Sequence, residues 1–270
     1  MAAMSEHART VSILDLQSFK DAGEKFAMLT AYDYPSAQIL DEAGVPVLLV
    51  GDSLGMVMLG YDSTVAVTME DMLHHTRAVR RGATKALVVA DLPFGSYQGN
   101  VDDAVANAIR LVKDGGANAV KFEGAYLELT QRLVKAGVPV MGHLGLTPQS
   151  VNQMGGYKVQ GRDTAAADKL VADAKALEAA GAFAIVLEGI PSTLGKTVTD
   201  ALSIPTIGIC AGADTDAQFL VFHDFLGLTA SRLPRFVKQY ATLRGEILGA
   251  AKAFQAEVAS GDYPGPEHQY

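Results

Sequence analysis

The chain has no tryptophan, a single cysteine, and 22 basic residues against 30 acidic ones in its 270 positions. Each scarcity excludes something. Cys210 alone cannot close an intrachain disulfide or build a Cys-rich zinc site, and it fits a reducing compartment, the cytoplasm being the default. The formal net charge of −8 opposes attraction to nucleic-acid phosphates or to an anionic membrane surface, so neither partner is expected. No run approaches the roughly 20 apolar residues of a membrane helix. The opening MAAMSEHARTVSILDLQ lacks the cationic start and apolar block of an export signal. Neither G-x-G-x-x-G after the first strand nor G-x-x-x-x-G-K-[ST] occurs, which leaves dinucleotide and P-loop nucleotide binding without support.

What is present is apolar residues, at 49%, and 27 glycines. That composition buries a large core, and with no linker, low-complexity tract or charge run it reads as one domain over 1–270. One pattern recurs along it. EAGVPVLLVGD, GATKALVVAD, GGANAVKFE, AGVPVMGH and AGAFAIVLE each pass from a glycine through an apolar run to a polar residue: Asp52, Asp91, Glu123, His143 and Glu188. A helix stop feeding a buried strand has this form. KFAMLTAYD before the series, with IPTIGICAG and AQFLVFHD after it, brings the strand count to eight.

Near-continuous apolar runs mean strands covered on both faces, as in a parallel α/β sheet. TMEDMLHHTRAVRR predicts a helix from its Thr68/Asp71 start, its terminal arginines and the following Gly82, and Asn100 opens another. Eight strand-helix units in about 250 residues match a (β/α)₈ TIM barrel, although a doubly wound sheet shares the local pattern. ILDLQSFKDAG is expected to close the barrel bottom as a short helix. Residues 235–258 are expected to form a C-terminal helix, and 260–270 a flexible tail.

In such a barrel the residues closing the strands meet at the C-terminal face, where active sites of this fold are built. Crowded carboxylates there repel one another unless a cation compensates them. Hard oxygen donors without cysteine favour Mg²⁺ over zinc. Asp52, Asp91 and Glu123 come from consecutive strands and are the expected ligands. Glu188 stands two strands further on, free to act as a base, and Lys121 shares the side of the strand that carries Glu123. Residues 53–67 and 144–162 exceed the usual loop of about 2–6 residues and are read as loops over the mouth, with Gly155 and Gly156 as a hinge. Asp33 reads as a helix cap. Lys121 is left between a site residue and a neutraliser of Glu123, and His143 between a wall residue and a participant. His74 and His75 show no partner, and Cys210 has no positioned base.

The segments MLTAYDYPSA, VGDSLGMVMLGYDST, HHTRAVRRG, ADLPFGSY, VKFEG, GHLGLTPQSVNQMGGYKVQGR and VLEGIP resemble the ketopantoate hydroxymethyltransferase family, from about Val11 to Leu228. The resemblance implies a (β/α)₈ barrel that transfers a hydroxymethyl group from 5,10-methylenetetrahydrofolate to 3-methyl-2-oxobutanoate, giving 2-dehydropantoate for pantothenate biosynthesis. It implies Mg²⁺ ligands at Asp52, Asp91 and Glu123, oxoacid contacts at Asp52, Ser53, Asp91 and Lys121, and a proton acceptor at Glu188. It also implies a homo-oligomer, often a decamer. The chain departs from the family's G-I-G-A-G and D-G-Q at Cys210 and Ala217. A lyase of the isocitrate lyase and phosphoenolpyruvate mutase type is the alternative, opposed by DLPFGSY in place of D-x-D-x-G. A non-catalytic scaffold is a remoter one.

Overall fold

The computed structural model describes residues 10–230 and 233–270. Eight strands, all parallel and paired in sequence order, close into a barrel: β1 (Phe26–Thr30), β2 (Val47–Val50), β3 (Leu87–Asp91), β4 (Ala119–Glu123), β5 (Val140–Gly145), β6 (Ala184–Glu188), β7 (Thr206–Ile209) and β8 (Ala217–Leu220). The doubly wound alternative is excluded by this closure. Chain contacts group into two compact units, the barrel up to Phe219 and a second unit from Leu220 to Tyr270.

Side chains alternate between the two faces of a strand, and the barrel shows why both faces are apolar. Val47, Leu49, Leu87, Val89, Ala119, Met141, Ala184 and Val186 belong to one buried cluster together with Leu16. Ile185, Leu187 and Leu144 belong to another with Leu170, Ala174 and Leu177 of the helix Thr164–Ala179. The first cluster fills the barrel and the second packs strands against their helices.

Stepping by two along the strands carries the first cluster up to the mouth: 87, 89 to Asp91; 119 to Lys121 and Glu123; 141 to His143; 184, 186 to Glu188. The same side of the sheet is apolar at the bottom and charged at the top. The helix Ile13–Ala22 closes the bottom as expected: Leu16 is fully buried, and Lys20 pairs with Asp216 at 2.8 Å.

Local signals account for the helix starts. Thr68 and Asp71 form a reciprocal capping box on the helix Met69–Gly82, whose Met72, Leu73, Thr76 and Val79 are buried. Asn100 and Asp163 accept amide bonds at two further helix starts. Asp33 is a cap, its carboxylate taking the Ser36 amide. The C-terminal helix spans Leu243–Ser260 rather than 235–258. The amides of Tyr240, Leu243 and Arg244 bond back to the carbonyls of Phe225, Leu226 and Gly227, which holds the preceding segment out of the helix. Beyond the helix, Pro266–His268 forms a 3₁₀ turn, and Tyr263 rests against Phe254 with ring centroids 5.3 Å apart.

Candidate active site

Strand register places the charged side chains next to one another. Asp91 stands opposite Lys121, Glu123 opposite His143, and Gly145 opposite Glu188. Asp52 lies two residues beyond β2, where its own amide donates to Asp91 Oδ2 at 3.1 Å. Asp52, Asp91, Lys121, Glu123 and His143 are all buried, and the Glu188 side chain keeps 18% exposure. Ser53 Oγ is 2.9 Å from the hydroxyl of Tyr32. The residues singled out in the sequence therefore occupy a single end of the barrel.

Lys121 faces Asp91 and His143 rather than serving Glu123 alone. Its Nζ lies 3.0 Å from Asp91 Oδ1 and 3.2 Å from His143 Nδ1. An ammonium only donates, so Nδ1 accepts and the imidazole proton sits on Nε2. That nitrogen is 3.2 Å from Glu188 Oε2, off the line of a good hydrogen bond. Burial first, then the Lys121 charge, hold the imidazole below its ordinary pKa and keep it neutral. His143 thus spans the gap between the lysine and Glu188.

The carboxylates outnumber the cations. Asp52, Asp91, Glu123 and Glu188 face one lysine and one neutral histidine. Burial, then the Asp91 charge, push the Asp52 carboxyl up to about 7. Burial, then Asp52, hold Glu123 well above the ordinary carboxylate range. Asp91 Oδ1 is buried against Lys121 Nζ, so that one ammonium serves a cluster of four carboxylates.

Among the described residues no three His, Cys, Asp or Glu side chains stand close enough to cage an ion unaided. Magnesium does not require a cage. It commonly takes one or two carboxylates and fills its octahedron with water and substrate oxygens. An excess of buried carboxylates over the single ammonium, all hard oxygen donors, fits that demand.

Three side chains escaped the sequence reading. Gln149, from the loop after β5, bonds Asp52 through its side chain and Glu123 through its backbone. Tyr97 holds the Gln149 amide from the loop after β3. The loop's length was legible, but nothing in L-T-P-Q-S marks which residue turns inward. His75, read as lacking a partner, bonds the Tyr32 carbonyl at 2.6 Å through Nδ1.

The long loops contain short helical turns, Leu54–Val57 and Val151–Met154, and meet where the Tyr157 hydroxyl lies 3.8 Å from Met56 Sδ. Gly145 lets the second loop leave β5: its φ is +95°, and a Cβ there would stand 2.2 Å from the Glu188 carbonyl oxygen. Cys210 has a φ of +55°, a left-handed conformation costly for a residue with a side chain.

A closed parallel barrel with carboxylates, a lysine and a histidine converging at its C-terminal mouth defines an enzyme of the (β/α)₈ class. The family described as ketopantoate hydroxymethyltransferase matches residues 10–266, and the chain belongs to it. It is 56% identical over 262 residues to the 3-methyl-2-oxobutanoate hydroxymethyltransferase of Carboxydothermus hydrogenoformans, covering 96% of this chain and 95% of the relative. With the protein of that name from Moorella thermoacetica it shares 55% over 269 residues, 99% of this chain and 100% of the other. A phosphonopyruvate hydrolase solved with oxalate and Mg²⁺ shares the fold at a TM-score of 0.59 and 14% identity, covering 95% of this chain and 92% of that one.

Proposed function

We propose that this enzyme transfers a hydroxymethyl group from 5,10-methylenetetrahydrofolate to 3-methyl-2-oxobutanoate, yielding 2-dehydropantoate for pantothenate biosynthesis. The observation that carries the reading is the excess of buried carboxylate beside Lys121, in a chain 56% identical to a relative of that name. Asp52, Asp91 and Glu123 are the residues that would hold Mg²⁺. When bound, the ion supplies Lewis-acid stabilisation of negative charge on the oxoacid oxygens.

The remaining roles belong to the chain. Lys121, steadied by Asp91 and His143, presents its ammonium to the substrate carboxylate, and Ser53 with Asp52 and Asp91 fixes the oxoacid's orientation. Glu188, less buried than its neighbours, removes the C3 proton, with His143 Nε2 standing 3.2 Å from its Oε2. The loops after β2 and β5 keep water from the carbanion while the folate approaches. Homo-oligomeric assembly, the decamer included, is part of the proposal. It is supported by the resemblance and by Ile247, Leu248, Phe254 and Val258, which are exposed on the Leu243–Ser260 helix.

Incubation with 3-methyl-2-oxobutanoate and 5,10-methylenetetrahydrofolate should yield 2-dehydropantoate by mass spectrometry, in Mg²⁺ and not in chelator. Cleavage of isocitrate or methylisocitrate without that product would instead support the lyase alternative.

A further inference from the structure

Gln149 is almost completely buried, and both polar atoms of its side chain and its backbone amide have partners. Its Nε2 donates to Asp52 Oδ2 at 2.8 Å and to the Leu92 carbonyl at 3.0 Å. Its Oε1 accepts from the Tyr97 hydroxyl at 2.6 Å and from Gln98 Nε2 at 3.1 Å. Its backbone amide donates to Glu123 Oε2 at 3.0 Å.

Two donors fix the carbonyl side of the amide, so the NH₂ side cannot rotate away from Asp52. One residue on the loop after β5 therefore bonds one oxygen of each of two carboxylates, one just beyond β2 and one at the end of β4. Asp52 Oδ1 is left for another partner. Without those bonds the two acids repel each other, with the Lys121 charge as the attraction opposing that.

We propose that Gln149 is a positioning residue for the metal site: through it, ordering of the loop after β5 sets Asp52 and Glu123 in the arrangement that receives the dication. The inference rests on the magnesium reading above. It also gives the loop a chemical task beyond covering the mouth, because the loop's departure withdraws both bonds together.

The test measures binding of Mn²⁺ alone, an oxygen-preferring paramagnetic substitute for Mg²⁺, by electron paramagnetic resonance on the intact protein. Four proteins are compared: the unaltered chain, Gln149→Met, Tyr97→Phe and Asp52→Asn. Gln149→Met keeps the side-chain length and the backbone bond to Glu123 while removing the amide. It should weaken Mn²⁺ about 10-fold or more, the effect expected when a ligand loses the partner behind it. Tyr97→Phe, a smaller change that removes the shorter of the two bonds to the amide oxygen and the hydroxyl's bonds to the Glu123 backbone, should weaken Mn²⁺ several-fold and serves alone if Gln149→Met does not fold.

In turnover, the Mg²⁺ concentration giving half the maximal rate should rise in step with the lost affinity, while the rate at saturating Mg²⁺ falls much less. A residue that only stabilised the fold would not produce that split. If Gln149→Met and Tyr97→Phe bind Mn²⁺ as the unaltered chain does while Asp52→Asn binds poorly, the role of Gln149 is overturned and the metal reading stands. If the unaltered chain binds no Mn²⁺, or Asp52→Asn binds it equally well, the metal reading fails and this inference with it.

Discussion

Removing divalent ions and raising the pH from about 5 to about 8 should destabilise the protein, because Asp52 must then ionise in a buried, anionic setting. The folded Asp52 carboxyl keeps its proton up to about 7, against an ordinary 3.8. Between those values the folded state binds more protons than the unfolded one, so stability falls as pH rises through the window. Between pH 5 and about 7 that is some two pH units, or about 3 kcal/mol at most, each unit being worth about 1.4. Glu123, also held up by burial and then by Asp52, adds to the same trend.

Asp41 and Glu178 carry the opposite sign. Burial works against their ionisation, but amides and a hydroxyl hold both carboxyls below their ordinary values. Their contribution is lost only as pH falls below about 4, outside the window. Urea denaturation in chelator at fixed protein concentration reads the loss directly. Magnesium should restore most of it at the higher pH and little at the lower, where protons compete for the ligands. Asp52→Asn should flatten the slope. Metal-free stability that stays level or rises across the window, or equal stabilisation by Mg²⁺ at both ends, would refute the reasoning.

Asp41→Ala should cost about 3 kcal/mol or more in a urea titration, since the Asp41 carboxylate takes the amides of Thr84, Lys85 and Ala86 and the Thr84 hydroxyl. A loss within experimental error would show that water replaces it there. Cys210→Gly should stabilise the fold by about 0.5–1 kcal/mol, relieving the left-handed conformation at φ +55°. Destabilisation would mean that the half-buried thiol contributes more packing than the backbone loses in strain.

The barrel was legible because each strand had to be apolar on both faces and end at one level, so the repeat of glycine, apolar run and polar residue wrote the topology into the chain. Asp91, Glu123 and Glu188 were legible for the same reason: each terminates a strand on the side that lines the barrel. Gln149 was not, since its role depends on a loop folding inward to reach Asp52, 97 positions away in sequence. Tyr97 and the His75 bond to Tyr32 are likewise contacts between segments far apart in sequence, which no periodicity encodes. The late start of the C-terminal helix was missed because backbone bonds to the 225–227 turn overrode the helical preference of the residues after Arg235.

The most direct measurement is proton NMR of 3-methyl-2-oxobutanoate in D₂O with the enzyme and no folate, following the hydrogen on C3. If Glu188 is the base at a magnesium site, exchange for deuterium requires Mg²⁺, stops in chelator, and is lost in Glu188→Gln while that variant still binds the ion. Exchange that continues undiminished in chelator or in Glu188→Gln would contradict it.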